Sequence, residues 1–367
     1  MHVPDSERVL EARSSWLETG AIPAGILEPA IEASWRRCRG YGLAHDQPPD
    51  YTRVGDAALN RARERNRPLI DHARPIMEAL AEQIKASRSQ IALADSDGLI
   101  VEVLGEPRPG ARSAALAPGV SWSERSLGTN GIGTALAGGT PLVVHGPEHY
   151  LLAHEALTCS ATPILGPDGR IAGTLGVSGD WMGFHPHTMG LMRMSNRLIE
   201  SQLFCAAHAD AIRLRLHQRP EAIGTLSEGL LAIGPSGEIR AGSAGALSLL
   251  GLDRRPAGLS VASLFGADVA ELVDHARRRC GQALRLSLPD GRTFFARIEL
   301  PVALVRGQEP SPALPDAQAR RVSRGGRDAA AGGPSLECLR TGDPAIENIV
   351  GRIRRVLGFD LPILIQG

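Results

Sequence analysis

The 367 residues of this chain carry no net charge: Lys+Arg and Asp+Glu are both 40. A chain made mainly of nucleic-acid-binding surface would be more basic. Lysine is scarce and arginine supplies the positive charge. Aromatic residues make up only 4%, so the 43% that is hydrophobic must build aliphatic cores. The five cysteines stand singly, with no C-x-x-C pair. That pattern excludes a disulfide scaffold and predicts reduced thiols in a cytoplasmic protein. No apolar run reaches the roughly 18–20 residues of a membrane span. The N-terminus lacks the charged-then-apolar order of a signal peptide, so no membrane partner is expected. There is also no Ser/His/Asp order, no paired carboxylates and no complete nucleotide motif. Neither catalytic residues nor a cofactor nor a resident metal is therefore expected.

What is present centres on residues 121–179. Gly128, Gly131 and Gly133 are packed too closely for a stable interior helix, since each costs roughly 1 kcal/mol relative to alanine. They suit sharp bends and close backbone approach, and a short helical turn follows at 134–137. A phosphate loop is a poor fit, because no Gly-Lys-Ser/Thr follows and the third glycine of a dinucleotide fingerprint is missing. Residues 141–144 suit a strand, and 161–165 and 171–177 flank a tight turn at 166–169.

The spaced motif is specific. It runs Trp122-x-Glu124, LGTNGIGTAL at 127–136, Gly146-x-Glu148-His149, Cys159-Ser-Ala-x-Pro-Ile164, Pro167-x-Gly169, Ser178-Gly179 and Pro186-His-Thr188. It resembles the GAF sensory domain of sigma-54-dependent transcriptional activators of the acetoin catabolism regulator type. Upstream, Ser34-Trp35-x-Arg37-Cys38 before Gly42-Leu43 is similar to a motif that precedes that domain in the same family.

The expected fold class is α+β. Residues 1–60 read as an N-terminal helical region, with Ile31, Trp35 and Cys38 on one helical face. Residues 61–200 form the expected GAF domain, an antiparallel sheet with helices behind and a cavity in front. Its first helix spans 61–85, with Leu69, Ala73, Ile76, Met77, Leu80 and Ile84 as the apolar stripe, and a hairpin turns at Asp97-Gly98. A helix entered at His187 is expected to continue toward Leu216, giving a connector at 201–220 and a seam for a homodimer or higher oligomer. Residues 221–305 have a PAS-like layout of hairpin, small helices and hairpin. Residues 306–335 read as a flexible linker rich in Pro, Gly, Ser and Arg. Residues 336–367 resemble the first helix and strand of an AAA+ ATPase domain, broken off at the start of its phosphate loop. Without the Lys and Ser/Thr of that loop, no ATP hydrolysis is expected.

The resemblance implies a small-molecule inducer, with sigma-54 RNA polymerase and DNA contacted only through parts not in this sequence. The candidate ligand-binding residues are Trp122, Glu124, Thr129, Asn130, His149, Cys159 and Ser160. Trp122 would supply an apolar wall and Glu124, Thr129 and Asn130 polar anchors. Equally, Asn130 and its glycines fix a turn while Glu124 caps backbone N–H groups. His145, His149 and His154, with Glu148, Glu155 and Cys159, line a cavity mouth or hold a metal or haem. Their spacing argues against the latter: His149 and His154 fall off one helical face, and Gly146-Pro147 interrupts His145 and His149. The alternative to an activator region is a stand-alone haem, metal or redox sensor, for which Cys159 would need a lowered pKa.

Overall fold

The computed structural model describes residues 6–87, 89–105, 116–180, 187–252, 258–279 and 281–305. The chain divides after Ala207 into two compact units. The readings of a linker at 306–335 and an AAA+ start at 336–367 lie outside the described residues, as do His185 and Pro186.

The first unit begins with α1 (Ser6–Thr19), α2 (Pro29–Gly40), α3 (Asp56–Arg65) and α4 (Arg67–Ile84), then β1 (Gln90–Asp95) and β2 (Ile100–Leu104). It continues with α5 (Glu124–Leu127), α6 (Gly131–Gly138), β3 (Leu142–His145), β4 (Leu157–Leu165), β5 (Ile171–Asp180) and α7 (His187–Ala207). The helix expected over 61–85 is two helices. Asn66, at φ −101° and ψ 14°, leaves the helical region, and Pro68 suits the first turn of the next helix because it has no N–H to lose. Leu69, Ala73, Ile76, Met77, Leu80 and Ile84 are the buried stripe of α4. The turn after β1 is held by Asp95, whose carboxylate accepts the N–H groups of Asp97 and Leu99, with Gly98 at φ 82°.

The five strands form an antiparallel sheet in the order β2-β1-β5-β4-β3. Alternation along each strand sorts side chains to two faces. Ile91, Leu93, Ile164, Leu175 and Val177 join a back core with α4 and α7. Ala92, Ala94, Cys159 and Ala161 join a front core with Trp122, Leu127 and Ile132. Val9, Trp16, Ile31 and Trp35 belong to that same front core. The helices read as a separate preface at 1–60 are thus part of this unit's interior.

The second unit contains β6 (Ile212–His217), β7 (Gly229–Ile233), β8 (Ile239–Gly242), α8 (Ala244–Leu250), α9 (Val261–Phe265) and α10 (Val269–Arg278). It ends in β9 (Leu284–Ser287), β10 (Thr293–Glu299) and α11 (Val302–Val305). Its sheet is also antiparallel, in the order β8-β7-β6-β10-β9. Ser243, Ser260 and Asp268 cap α8, α9 and α10 with side-chain acceptors.

β6 corrects the connector expected over 201–220. The helix ends at Ala207, and residues 212–217 form the central strand of the second sheet. The sequence IRLRLH alternates strictly: Ile212, Leu214 and Leu216 are buried, while Arg213 and Arg215 ion-pair with Glu299 on the other face. A period of two belongs to a strand, whatever the helical spacing upstream.

Candidate functional site

The glycine-rich segment folds as α5, a tight bend and α6. Gly128 takes φ 66° at the end of α5, a conformation glycine adopts without strain. Gly131 and Gly133 lie inside the first turn of α6, where the sequence argued against helix. A Cβ on Gly133 would stand 2.6 Å from the Trp122 carbonyl and 2.6 Å from the Glu124 amide. A Cβ on Gly131 would meet the Cys159 side chain at 2.9 Å. The low helix propensity is accepted because only glycine lets α6 press this closely on α5 and β4.

Between α6 and the sheet is a small cavity. It is lined by Trp122, Gly131 and Ile132 on one side and by Ala92, Cys159, Ser160, Gly176 and Ser178 of the strands on the other. Small residues pave the sheet floor, so Ile132 settles over Gly176. The remaining volume is about 10 Å³, room for roughly one water. Of the seven residues expected at the site, Trp122, Cys159 and Ser160 line this cavity.

Glu124, Thr129 and Asn130 lie behind the cavity wall. Asn130 caps α6 by accepting from the Gly133 N–H at 2.8 Å, and it donates to the carbonyls of Gly128 (2.8 Å) and Trp122 (3.0 Å). Glu124 is buried and accepts a two-pronged contact from Arg37, at 2.6 Å from Nε and 2.8 Å from the terminal nitrogen. That geometry is the strong, charge-assisted kind, and it raises the Arg37 pKa. Ser34 donates its one hydroxyl proton to Glu124 at 2.5 Å. The hydroxyls of Thr129 (2.7 Å) and Thr134 (3.2 Å) must then donate to it. The Ser34-Trp35-x-Arg37-Cys38 string therefore bolts α2 onto the cavity wall. The sequence showed the string but not its partner.

A second set of contacts binds the segment between β3 and β4. Trp35 Nε1 donates to the Glu148 carbonyl at 2.8 Å. Arg13 of α1, itself buried, ion-pairs with Glu155 and donates to the carbonyls of Pro147 and His149. Glu148 accepts the His145 N–H at 2.8 Å, but burial still pushes its carboxyl up to about 7. His149 and His154 are fully buried, and burial lowers them to about 3 and about 4. His154 stacks on Trp122, with ring centres 5.4 Å apart and planes 17° from parallel. Its Nε2 lies 2.7 Å from the Tyr51 hydroxyl. His154 belongs to the histidine cluster expected at a cavity mouth, whereas Arg13 and Tyr51 were not anticipated as site residues, and no local pattern marks them.

Among the described residues no three His, Cys, Asp or Glu side chains stand together as a metal would need. Burial raises the thiols of Cys38 and Cys159 to about 11, the opposite of what a redox-responsive thiolate requires. No helix among the described residues is long and apolar enough to cross a membrane.

Comparison with known proteins agrees with the resemblance. The family model for the N-terminal domain of MimR matches residues 5–187. The acetoin catabolism regulatory protein of Cupriavidus necator is 29% identical over 380 residues, covering 98% of this chain and 54% of that protein. The acetoin dehydrogenase operon transcriptional activator AcoR of Bacillus subtilis is 30% identical over 184 residues, covering 50% of this chain and 30% of that protein. The chain thus spans at most about half the length of these relatives. A solved complex of the DhaR N-terminal region with DhaL from E. coli aligns with a TM-score of 0.46 and 14% identity, over 75% of this chain and all of that one. Residues 5–187 are a MimR-type N-terminal domain, and the chain belongs with the transcriptional activators of the acetoin catabolism regulator type.

Proposed function

We propose that this chain is the signal-sensing region of a sigma-54-dependent activator. In this reading the first unit is a GAF-type sensor that takes up a small metabolite, and the second is a PAS-like module between it and an AAA+ motor. Acetoin, which appears in the names of two relatives, is the first candidate. The observation that carries the reading is the cavity wall. The helix that closes the cavity, α6, presses on α5, which is bolted to α2 through Glu124 and Arg37.

At about 10 Å³ the cavity in this form is too small for a four-carbon metabolite. Entry requires Ile132 and Trp122 to move off the sheet. A ligand shifts an equilibrium only by its differential affinity for two states. A guest that fits only when α6 has moved has that difference built in. Displacement of α6 would load the Glu124–Arg37 contact and pull on α2. Through Val177, which borders the cavity and packs in the back core, it would also reach α7. Residues Trp122, Cys159 and Ser160 would touch the ligand, and Glu124, Thr129 and Asn130 would transmit its arrival.

All four tryptophans lie in residues 1–207, so tryptophan fluorescence follows the first unit alone. Acetoin is expected to raise the melting temperature seen by fluorescence in a dose-dependent way. Ala92→Leu, which fills the cavity floor, should abolish the shift. A shift that survives Ala92→Leu would place the ligand elsewhere.

A further inference from the structure

The sheet of the second unit has two faces of opposite character. One faces the core, through Leu214, Leu286 and Phe294. Side chains alternate along a strand. The other face therefore carries Arg213 and Arg215 of β6, Phe295, Arg297 and Glu299 of β10, and Arg285 of β9. The carboxylates at this face are already engaged. Glu299 pairs with Arg213 and Arg215, and Glu228, just before β7, pairs with Arg215. Arg285 and Arg297 are exposed, and among the described residues neither has an ion pair or a hydrogen bond.

The register makes the placement of Arg297 costly. It stands directly opposite Arg215 across β10 and β6, and like charges so placed weaken a sheet. A charge on an edge strand guards a sheet against unwanted pairing, which accounts for Arg285 on β9. It does not account for Arg297, because β10 lies inside the sheet, between β6 and β9. Phe295 stands between the two arginines. It is directly opposite Arg285 and two positions from Arg297, and it is only half-buried.

This spacing selects a partner. Diagonal neighbours in a sheet are roughly 7–8 Å apart, so Arg285 and Arg297 suit two separate anionic groups with apolar matter between them, not one phosphate. Carboxylates at alternate positions of an extended chain are about 7 Å apart. Arginine beside an aromatic ring is also the composition of interface centres. A nucleic acid fits worse, because Glu228 and Glu299 stand beside the same arginines and the chain has no net charge.

We infer that this face of β9 and β10 docks an acidic protein segment, with Arg285 and Arg297 pairing to its carboxylates and Phe295 packed between them. Docking there is independent of what the first unit binds.

The test titrates the full chain, at low ionic strength, into a fluorescein-labelled peptide of alternating glutamate and valine and follows anisotropy. The same peptide with glutamine for glutamate is the neutral control, and an oligothymidylate of equal charge is the nucleic-acid control. The acidic peptide should bind at least about tenfold more tightly than either, and less tightly as salt is added. Arg285→Glu and Arg297→Glu should each lower its affinity about tenfold. Arg170→Glu, exposed on the first unit, should leave it unchanged. Arg297→Thr separates docking from folding: affinity should fall while the circular-dichroism transition of the second unit is not lowered, since no partner within the unit is lost. Absence of binding, equal binding of the two peptides or tighter binding of the oligothymidylate would overturn the assignment. So would undiminished affinity in either reversal at β9 or β10, an equal loss in Arg170→Glu, or a lowered transition in Arg297→Thr.

Discussion

The two units share a five-stranded antiparallel sheet with helices against it, yet their interiors differ in kind. The second is packed with Leu214, Leu216, Leu231, Ile233, Phe265 and Phe294, and its partly buried ionic side chains include Arg213 and Arg215 with Glu299, and Glu228 paired to Arg215. In the first, Arg13, Ser34, Glu124, Thr129, Asn130, Thr134, Glu148, His149 and His154 are all buried. Buried charges gain little net stability, and apolar replacements often do as well. The second unit builds a sheet of the same number of strands with far fewer of them. The polar interior of the first is thus an extra demand on the fold, and it concentrates around the cavity and the helices that close it.

The largest effect that would break this contrast is at Arg37. Arg37→Ala leaves the Glu124 carboxylate buried and unpaired, which should cost the first unit about 3–5 kcal/mol. Urea denaturation followed by tryptophan fluorescence would show it, and no residue of the second unit contributes to that signal. Gly133→Ala should cost about 1–3 kcal/mol, because a Cβ has no room between the Trp122 carbonyl and the Glu124 amide. A midpoint unchanged by that substitution would mean α5 and α6 are not in close contact.

Acid and base should also separate the units. His149 and His154 have depressed folded pKa values, so their contribution is present above the unfolded value near 6.5 and is lost as pH falls toward about 4 and about 3. Glu148 acts oppositely. Its folded pKa is raised to about 7, so its contribution is complete below the unfolded value near 4.5 and is lost as pH rises toward 7. Two histidines outweigh one carboxyl between pH 4.5 and 6.5. The stability of the first unit should therefore rise there by roughly 1 kcal/mol per pH unit. Glu148→Gln should steepen that rise and remove the shallow decline up to pH 7, as measured by urea midpoints across the range. The smallest effect belongs to the second unit. Ser243→Ala removes the cap of α8 and the acceptor for the Leu230 N–H. A loss of about 1 kcal/mol is expected in the circular-dichroism transition, with the tryptophan signal unmoved.

Local chemistry made much of the fold legible. Four hairpins follow from their turn residues at Asp97-Gly98, Asp168-Gly169, Ser236-Gly237 and Asp290-Gly291, with each glycine at positive φ. The stripe of α4 follows from its spacing. The strand β6 was legible too, in the alternation of IRLRLH, but the helical pattern before it masked the change of period. The site was legible only in outline. Its motif marks residues 122–160, but the partners Arg37 and Arg13 lie 87 and 142 positions from the carboxylates they bind. No pattern within a helix or strand encodes a pairing at that distance. The glycines of α6 make the same point: their reason is the surface they press against, which exists only once the chain has folded.

The central claim, that the polar interior of the first unit is a gated receptor for a small molecule, is tested most directly by hydrogen exchange of the full chain with and without saturating acetoin. The account predicts altered protection in residues 29–40, 122–138 and 145–155, with residues 229–233 and 293–299 unchanged. Protection that changes only in the second unit, or nowhere, would contradict it.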